Sequence, residues 1–294
     1  VTATSKPAGD VLAAAARRAG LNPAGAVLIR DGSNLMYRLV GGCVARIGPA
    51  GTEKAAEFQI EAARWLAGTG INSVAVLDDI AQPVVVHDRP VTWWRELPAH
   101  RPASPAELGG ILRLLHRLEP PAHPVLRMFD PFAGVAGRIA AARHLPDYDR
   151  AWLAHQVGVL RERLQRERTR HSPTVIHGDA WQNNVAVLAD GKPVLLDLEH
   201  VSLGDRDWDL IPLAADFADF VRVSRSDYRD FATAYGRDVT TAASFRTFAD
   251  IQELRWATFV LAKGATSTDA AREASHRIAC LRGEIPKPWT WNAF

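Results

Sequence analysis

His177, Gly178 and Asp179 stand together at the head of a stretch, residues 175–199, that reads VIHGDAWQNNVAVLADGKPVLLDLE. Asn184 follows five residues after the aspartate, and Asp197 and Glu199 lie beyond a turn at Asp190 and Gly191. Val185 to Leu188 and Pro193 to Leu196 are short apolar runs joined by Asp-Gly turn chemistry, which predicts a hairpin. Such a hairpin brings Asn184 and Asp197 together at its open end. Oxygen donors of this kind suit Mg2+, which completes its shell with water and substrate phosphates. A loop carboxylate such as Asp179 beside them suits phosphoryl transfer.

The ordered set resembles the aminoglycoside phosphotransferase and choline kinase group, small-molecule kinases with a protein-kinase-like fold. His177, Gly178, Asp179 and Asn184 match the HGD-x-x-x-x-N catalytic loop of that group, and Asp197 with Glu199 matches its metal-binding acid segment. Gly204, Asp205, Asp209 and Leu210 match the GD-x-x-x-DL continuation. The resemblance implies an α+β, bilobal fold: a small β-rich lobe over residues 1–97 that binds nucleotide, and a larger, mostly α-helical lobe over 98–294 for catalysis and substrate. It implies ATP or GTP as phosphoryl donor, Asp179 as catalytic base, and Mg2+ held by Asn184 and Asp197 with Glu199 assisting. His177 is expected to orient the loop by hydrogen bonding, Asp205 to brace it, and Asp209 to open the helix that begins near Trp208.

Positioning elements are legible upstream. After a helix near Asp10 to Ala19, strand-like runs at Ala26 to Ile29, Leu35 to Val40 and Cys43 to Ile47 are separated by turn residues. The loop Arg30 to Asn34, with Ser33 and Asn34, has the small side chains that let backbone N–H groups approach phosphate, although no G-x-G-x-x-G is present. Arg46 lies where kinases carry a phosphate-holding lysine; an arginine keeps the charge and adds a planar fork. Its partner belongs on the helix Glu53 to Gly68, where Glu57 and Glu61 share a face. Aligning that helix to the resembling families puts Gln59 at the partner position instead, and Glu57 is the residue chosen here.

Runs at Val84 to Val86 and Val91 to Trp94 lead into Arg95, Glu96, Leu97 and Pro98, where the resemblance puts backbone groups of Glu96 and Leu97 against the base. Trp93 and Trp94 read as core. Beyond Pro98 the pattern is helical. Ser104, Pro105 and Glu107 start a helix through Leu118, and further helices are expected at Ala133 to Ala142, Tyr148 to Glu167, Asp207 to Phe220, Tyr228 to Tyr235, Phe245 to Lys263 and Thr268 to Arg282. His116, among leucines, reads as a satisfied packing histidine. For the acceptor, Asp216, Asp219, Asp250, Glu253 and Trp256 are the candidates, with Asp216, Glu253 and Trp256 foremost. Carboxylates there suit a cationic amino sugar or amino alcohol, and an indole suits a quaternary ammonium.

A net charge of +2, with both signs scattered, gives no footprint for nucleic acid or anionic membrane. The densest basic run, 161–170, alternates with Glu162 and Glu167 at helical spacing and reads as a solvated helix face. Cys43 and Cys280 form no C-x-x-C and read as buried small apolar residues. No apolar run reaches the length of a membrane span, so a cytoplasmic enzyme, monomer or homodimer, is expected. The acceptor class stays open between an antibiotic, which would make this a resistance enzyme, and a metabolite such as an amino alcohol, sugar or nucleoside. A metal-dependent phosphoesterase and a silent nucleotide-binding module are the alternatives from other classes.

Overall fold

Short runs of β-branched and aromatic residues bounded by turn residues form the strands, and the central strands of the larger sheet are buried along almost their whole length. The computed structural model describes residues 5–167 and 172–293; the end of the basic run, 168–170, lies outside them. A first unit comprises residues up to Ala103, Leu118–Leu126 and Gln182–Val201, and a second comprises Ser104–Arg117, Arg127–Trp181 and the residues from Ser202 onward.

In the first unit, helix α1 (Ser5–Arg18) precedes strands β1 (Val27–Asp31), β2 (Leu35–Leu39) and β3 (Cys43–Ile47), helix α2 (Glu53–Ala67), and strands β4 (Val84–Val86) and β5 (Arg89–Arg95). The five strands form one antiparallel sheet in the order β1-β2-β3-β5-β4. Arg46, the fourth residue of β3, sits opposite Met36 on one side and Thr92 on the other. Val11, Leu12 and Ala15 of α1 pack with Ala45, Ile47, Val91 and the fully buried Trp93 to make the core. Trp93 and Trp94 are thus core residues, as expected.

Strand β6 (His100–Pro102) belongs to the same unit, because it pairs with a later hairpin rather than with the helices that follow it. The second unit's β7 (Thr174–Ile176) comes before that hairpin, which is formed by β8 (Val185–Leu188) and β9 (Pro193–Leu195) in the sheet β6-β8-β9. Leu195 exchanges backbone hydrogen bonds with Asn72 and Val74, which ties the hairpin to the first unit. By compactness the first unit runs to Ala103 and also takes in 118–126 and 182–201.

The second unit is helical: α3 (Pro105–Leu115), α4 (Val135–Ala141), α5 (Asp147–Arg166), then β10 (Ser202–Gly204), α6 (Ile211–Ala218), α7 (Arg225–Tyr235), α8 (Phe245–Gly264) and α9 (Thr268–Leu281). The start of α3 is a capping box: Ser104 Oγ accepts from the Glu107 N–H, and the Glu107 carboxylate accepts from the Ser104 N–H at 2.8 Å. The helix expected over 207–220 instead begins as a 3-10 turn, Arg206–Leu210, and turns α-helical only at Ile211. Pro212 explains the switch, since it lacks an N–H and favours the first turn of an α-helix. Both cysteines are buried and free. No helix among the described residues is long and apolar enough to cross a membrane.

Candidate active site

Asp190 and Gly191 close the predicted hairpin, with Gly191 at φ +80 and its N–H donated to the Leu188 carbonyl. At the open end the Leu196 N–H donates to the Asn184 carbonyl at 2.9 Å, which holds Asn184 beside the residue preceding Asp197. Asp197 itself adopts the left-handed region, φ 51 and ψ 61, a conformation that an aspartate tolerates better than most side chains. Strained backbone of this kind concentrates at functional positions.

Arg46 reaches this acid segment across the sheet. Its Nη2 lies 2.6 Å from Glu199 and 3.3 Å from Asp197, while its Nη1 donates to Gln59 Oε1. The Gln59 amide also donates to Glu199, at 3.4 Å. Glu57, the partner chosen from the sequence, is instead exposed. The inward face of α2 is set by its buried residues Gln59, Ile60 and Ala63, and Glu57 falls outside that stripe. A cleft of about 180 Å³ is lined by Ser33, Asn34, Arg46, Thr52, Gln59 and Glu199 among others, so the turn after β1 and the charged centre share one cavity.

Asn184 and Asp197 present the oxygen donors that Mg2+ takes, and Mg2+ needs only one or two protein ligands when phosphates supply the rest. The donor set fits that ion. Glu199 is engaged by Arg46 and Gln59, which makes it the less available of the two acids. Glu96 donates its N–H to the Gly42 carbonyl and pairs its carboxylate with Arg38 at 2.6 Å. Leu97, the next residue, is half-buried.

In the second unit, His177 and Asp179 follow β7. Gly178 between them has φ +81, which only glycine adopts freely. The peptide is clamped from below: the Asp209 carboxylate accepts the His177 N–H at 2.6 Å and the Gly178 N–H at 2.8 Å. The Trp208 indole donates to the Gly178 carbonyl at 3.1 Å. His116 lies 3.0 Å from Asp209 and 2.9 Å from the Tyr235 hydroxyl, a satisfied buried histidine as expected. Burial alone would raise the Asp209 pKa, but the His116 hydrogen bond and the His177 peptide outweigh it and hold the carboxyl below its ordinary value. The roles expected of the two aspartates are exchanged. Asp209 braces the loop, and Asp205 caps the 3-10 turn by accepting the Asp207 N–H. Gly204 is required for another reason: a Cβ there would sit 2.5 Å from Ile176 Cδ1 and 3.2 Å from Phe129 Cβ, where β10 presses on β7.

The acceptor candidates are paired within the chain. Asp216 meets Arg222 at 3.1 Å, and burial raises its pKa. Asp219 and Glu253 both meet Arg246, at 2.8 and 2.6 Å, and both meet Lys287, at 2.9 and 3.2 Å. Asp250 is held by Arg246 and Arg163. Trp256 stands edge-on to Phe220 at 5.8 Å, in a cluster with the stacked pair Trp289 and Trp291. Asp216, Asp219, Asp250 and Glu253, expected to face an acceptor, are each met by a cation of the chain itself, and Trp256 packs among aromatics.

Residues 26–248 match the sequence model of the phosphotransferase enzyme family. No curated protein matches the chain in sequence. Among solved structures, an amicoumacin kinase in complex with AMP-PNP and Ca2+ superposes with a TM-score of 0.75 at 13% identity, over 98% of each chain. A choline/ethanolamine kinase family protein from Mesorhizobium loti gives 0.65 at 20% identity, over 97% of this chain and 95% of that one. An aminoglycoside phosphotransferase from Streptomyces rimosus gives 0.60 at 21% identity, over 86% of this chain and 99% of that one. These likenesses carry the kinase-like fold, and the family match spans most of the chain: the protein belongs to the phosphotransferase enzyme family.

Proposed function

We propose that the protein transfers the γ-phosphoryl group of ATP or GTP to a hydroxyl of a small molecule, with Asp179 as the base. The observation that carries this reading is the convergence of Arg46 on Asp197 and Glu199, in a cleft that Ser33 and Asn34 also line. Arg46 and the turn Arg30 to Asn34 hold the phosphates, and the Glu96 carbonyl and Leu97 peptide meet the base. Asn184 and Asp197 are the residues that hold Mg2+, with Glu199 keeping Arg46 in place or reaching a second ion through water. When bound, the ion neutralises charge on the phosphate oxygens.

Asp179 accepts a hydrogen bond from the acceptor hydroxyl and aims its oxygen at the γ-phosphorus. The new O–P bond forms as the bond to the bridging β,γ oxygen breaks. The hydroxyl proton passes late to Asp179, and the nucleoside diphosphate leaves. His177 and the clamp at Asp209 fix where Asp179 stands. Antibiotic and metabolite acceptors both fit this chemistry, and the internal pairing of Asp216, Asp219 and Glu253 disfavours an amine as the recognised group. A phosphoesterase would want a cluster of His and acidic ligands; no group of three or more such residues suited to a metal occurs among the described residues.

The test is a pair of variants. Asp179→Asn should retain nucleotide binding and folding while turnover drops about 10² to 10⁴-fold, equivalent to roughly 3–5 kcal/mol of barrier. Asp197→Ala should abolish the tightening of nucleotide binding by Mg2+ in a calorimetric titration. Undiminished turnover in the first, or an unchanged Mg2+ effect in the second, rejects the corresponding role.

A further inference from the structure

Around Asp179 the second unit presents basic side chains that the scheme above does not use. Arg255, on α8, donates from Nη1 to the Pro131 carbonyl at 2.9 Å. Its guanidinium carbon lies 5.5 Å from the ring centre of Trp208 and 5.8 Å from that of Phe129. Trp208 is the residue that holds the Gly178 carbonyl, so Arg255 stacks on the support of the peptide next to Asp179. Arg138, on α4, points Nε at Thr258 Oγ1 at 3.4 Å, and the same hydroxyl donates to the Arg255 carbonyl at 3.1 Å. Thr258, one turn after Arg255 on α8, thus brings the Arg138 side chain against the same stretch of that helix.

The charges of Arg138, Asp179 and Asp130 all act on Arg255. Burial holds both guanidinium groups below their ordinary pKa, and Arg138 pushes Arg255 further in that direction. Among the described residues neither arginine forms an ion pair. Asp179 and Asp130 act on Arg255 by charge without pairing with it, and partly buried like charges gain from an anion that completes them. The planar fork of arginine matches carboxylate and phosphate oxygens in particular.

We infer that Arg138 and Arg255 form an anion-recognising pair beside Asp179, and that the acceptor phosphorylated here carries a carboxylate or phosphate group as well as its hydroxyl. The inference rests on Asp179 as the base and names the acceptor class of that same site. It also accounts for the pairing of Asp219, Asp250 and Glu253 within the chain: an anionic acceptor has no use for free acids.

Two measurements test it on the full chain. In the first, thermal unfolding is followed as inorganic phosphate is added. The midpoint should rise for wild type and for Arg46→Ala, and the rise should shrink to less than half in Arg138→Gln and Arg255→Gln. A shift lost in Arg46→Ala and kept in Arg255→Gln overturns the proposal. In the second, transfer from Mg2+-ATP and Mg2+-GTP is assayed against hydroxy acids and sugar phosphates, and against amino alcohols and amino sugars.

Turnover should be confined to the anionic set. Arg255→Gln should raise the acceptor KM at least tenfold, with the nucleotide KM within twofold, and Arg255→Lys should recover part of the loss. Turnover of amine-bearing acceptors alone overturns the proposal. So does an equal effect of Arg255→Gln on both substrates, which would put the arginines on the γ-phosphoryl group of the nucleotide. If no compound turns over, the phosphate titration decides. Full transfer by Asp179→Asn would reject the base while leaving that titration to judge the arginines.

Discussion

Arg46 answers three acceptors at once through the two arms of its planar fork. One nitrogen of its fork meets Gln59, and the other meets Glu199 at 2.6 Å and Asp197 at 3.3 Å. An ammonium has three donors on one atom and lacks the planar fork that spreads the arginine's bonds over two nitrogens. The usual pairing of a lysine with a helix glutamate is replaced here by an arginine whose acid partner comes from the segment after the hairpin, with neutral Gln59 on the helix. Hydrogen bonds to charged groups contribute about 1.5–3 kcal/mol, so Arg46→Ala should weaken triphosphate binding on the order of ten- to a hundredfold. Adenosine binding should change far less. Arg46→Lys should recover part of the loss, and Arg46→Lys combined with Gln59→Glu should recover more, because the added carboxylate gives the ammonium a partner on α2. Dissociation constants for ATP and adenosine across the four proteins decide it. Equal losses for both ligands would reduce Arg46 to a packing role.

The loop 177–179 depends on elements that do not touch a substrate. Asp209, fully buried, accepts two backbone N–H groups of the loop and meets His116, which continues to Tyr235 on α7. Asp209→Asn turns one acceptor oxygen into a donor facing an N–H. Leaving a buried N–H without its acceptor costs about 1–3 kcal/mol. The melting temperature should fall, and turnover should fall with it as Asp179 loses its position. The Asp209 pKa is lowered in the fold, so its contribution is present above the ordinary carboxylate range and lost as pH drops through the folded value. The variant should therefore lose stability at neutral pH and show a weaker acid transition than wild type, by denaturant unfolding at several pH values.

How much of this was legible follows from range. The hairpin, the catalytic loop, the capping box at Ser104 and most helix limits were readable because turn residues and apolar periodicity are local signals. The partner of Arg46 was not, since Glu57 and Gln59 differ only in which face of α2 the sheet buries. Strands β6, β7 and β10, of three residues each, are too short to show alternation. Arg138 and Arg255, 117 positions apart in sequence, gave no local signal at all.

Across the whole molecule, the residues assigned to nucleotide and metal lie in the first unit, and the base, its clamp and the paired arginines lie in the second. The second unit also captures the C-terminal segment. Lys287 joins Arg246 on Asp219 and Glu253, the Trp289 N–H donates to the Asp219 carbonyl at 2.9 Å, and Trp289 stacks on Trp291. Burial first, and then the hydrogen bond to Asp219, push the Glu253 carboxyl from its ordinary 4.5 up to about 8, against the pull of Arg246 and Lys287. Its partner Asp219 is shifted the other way: burial opposes ionisation, and the hydrogen bonds from Glu253, Arg246 and Lys287 overcome it. The pair thus holds a proton on Glu253 through the neutral range. A group that binds more proton folded than unfolded between about 4.5 and 8 makes stability fall as pH rises through that interval, by at most about 1.4 kcal/mol per unit. Glu253→Gln mimics the protonated acid and removes its titration. The variant should match wild type near pH 5, lose less stability than wild type toward pH 8, and keep the C-terminal segment in place, as read from tryptophan fluorescence during unfolding. A variant whose stability runs parallel to wild type across that range would mean that Glu253 is ionised throughout, and that full ion pairs to Arg246 and Lys287, rather than a shared proton, hold the segment down.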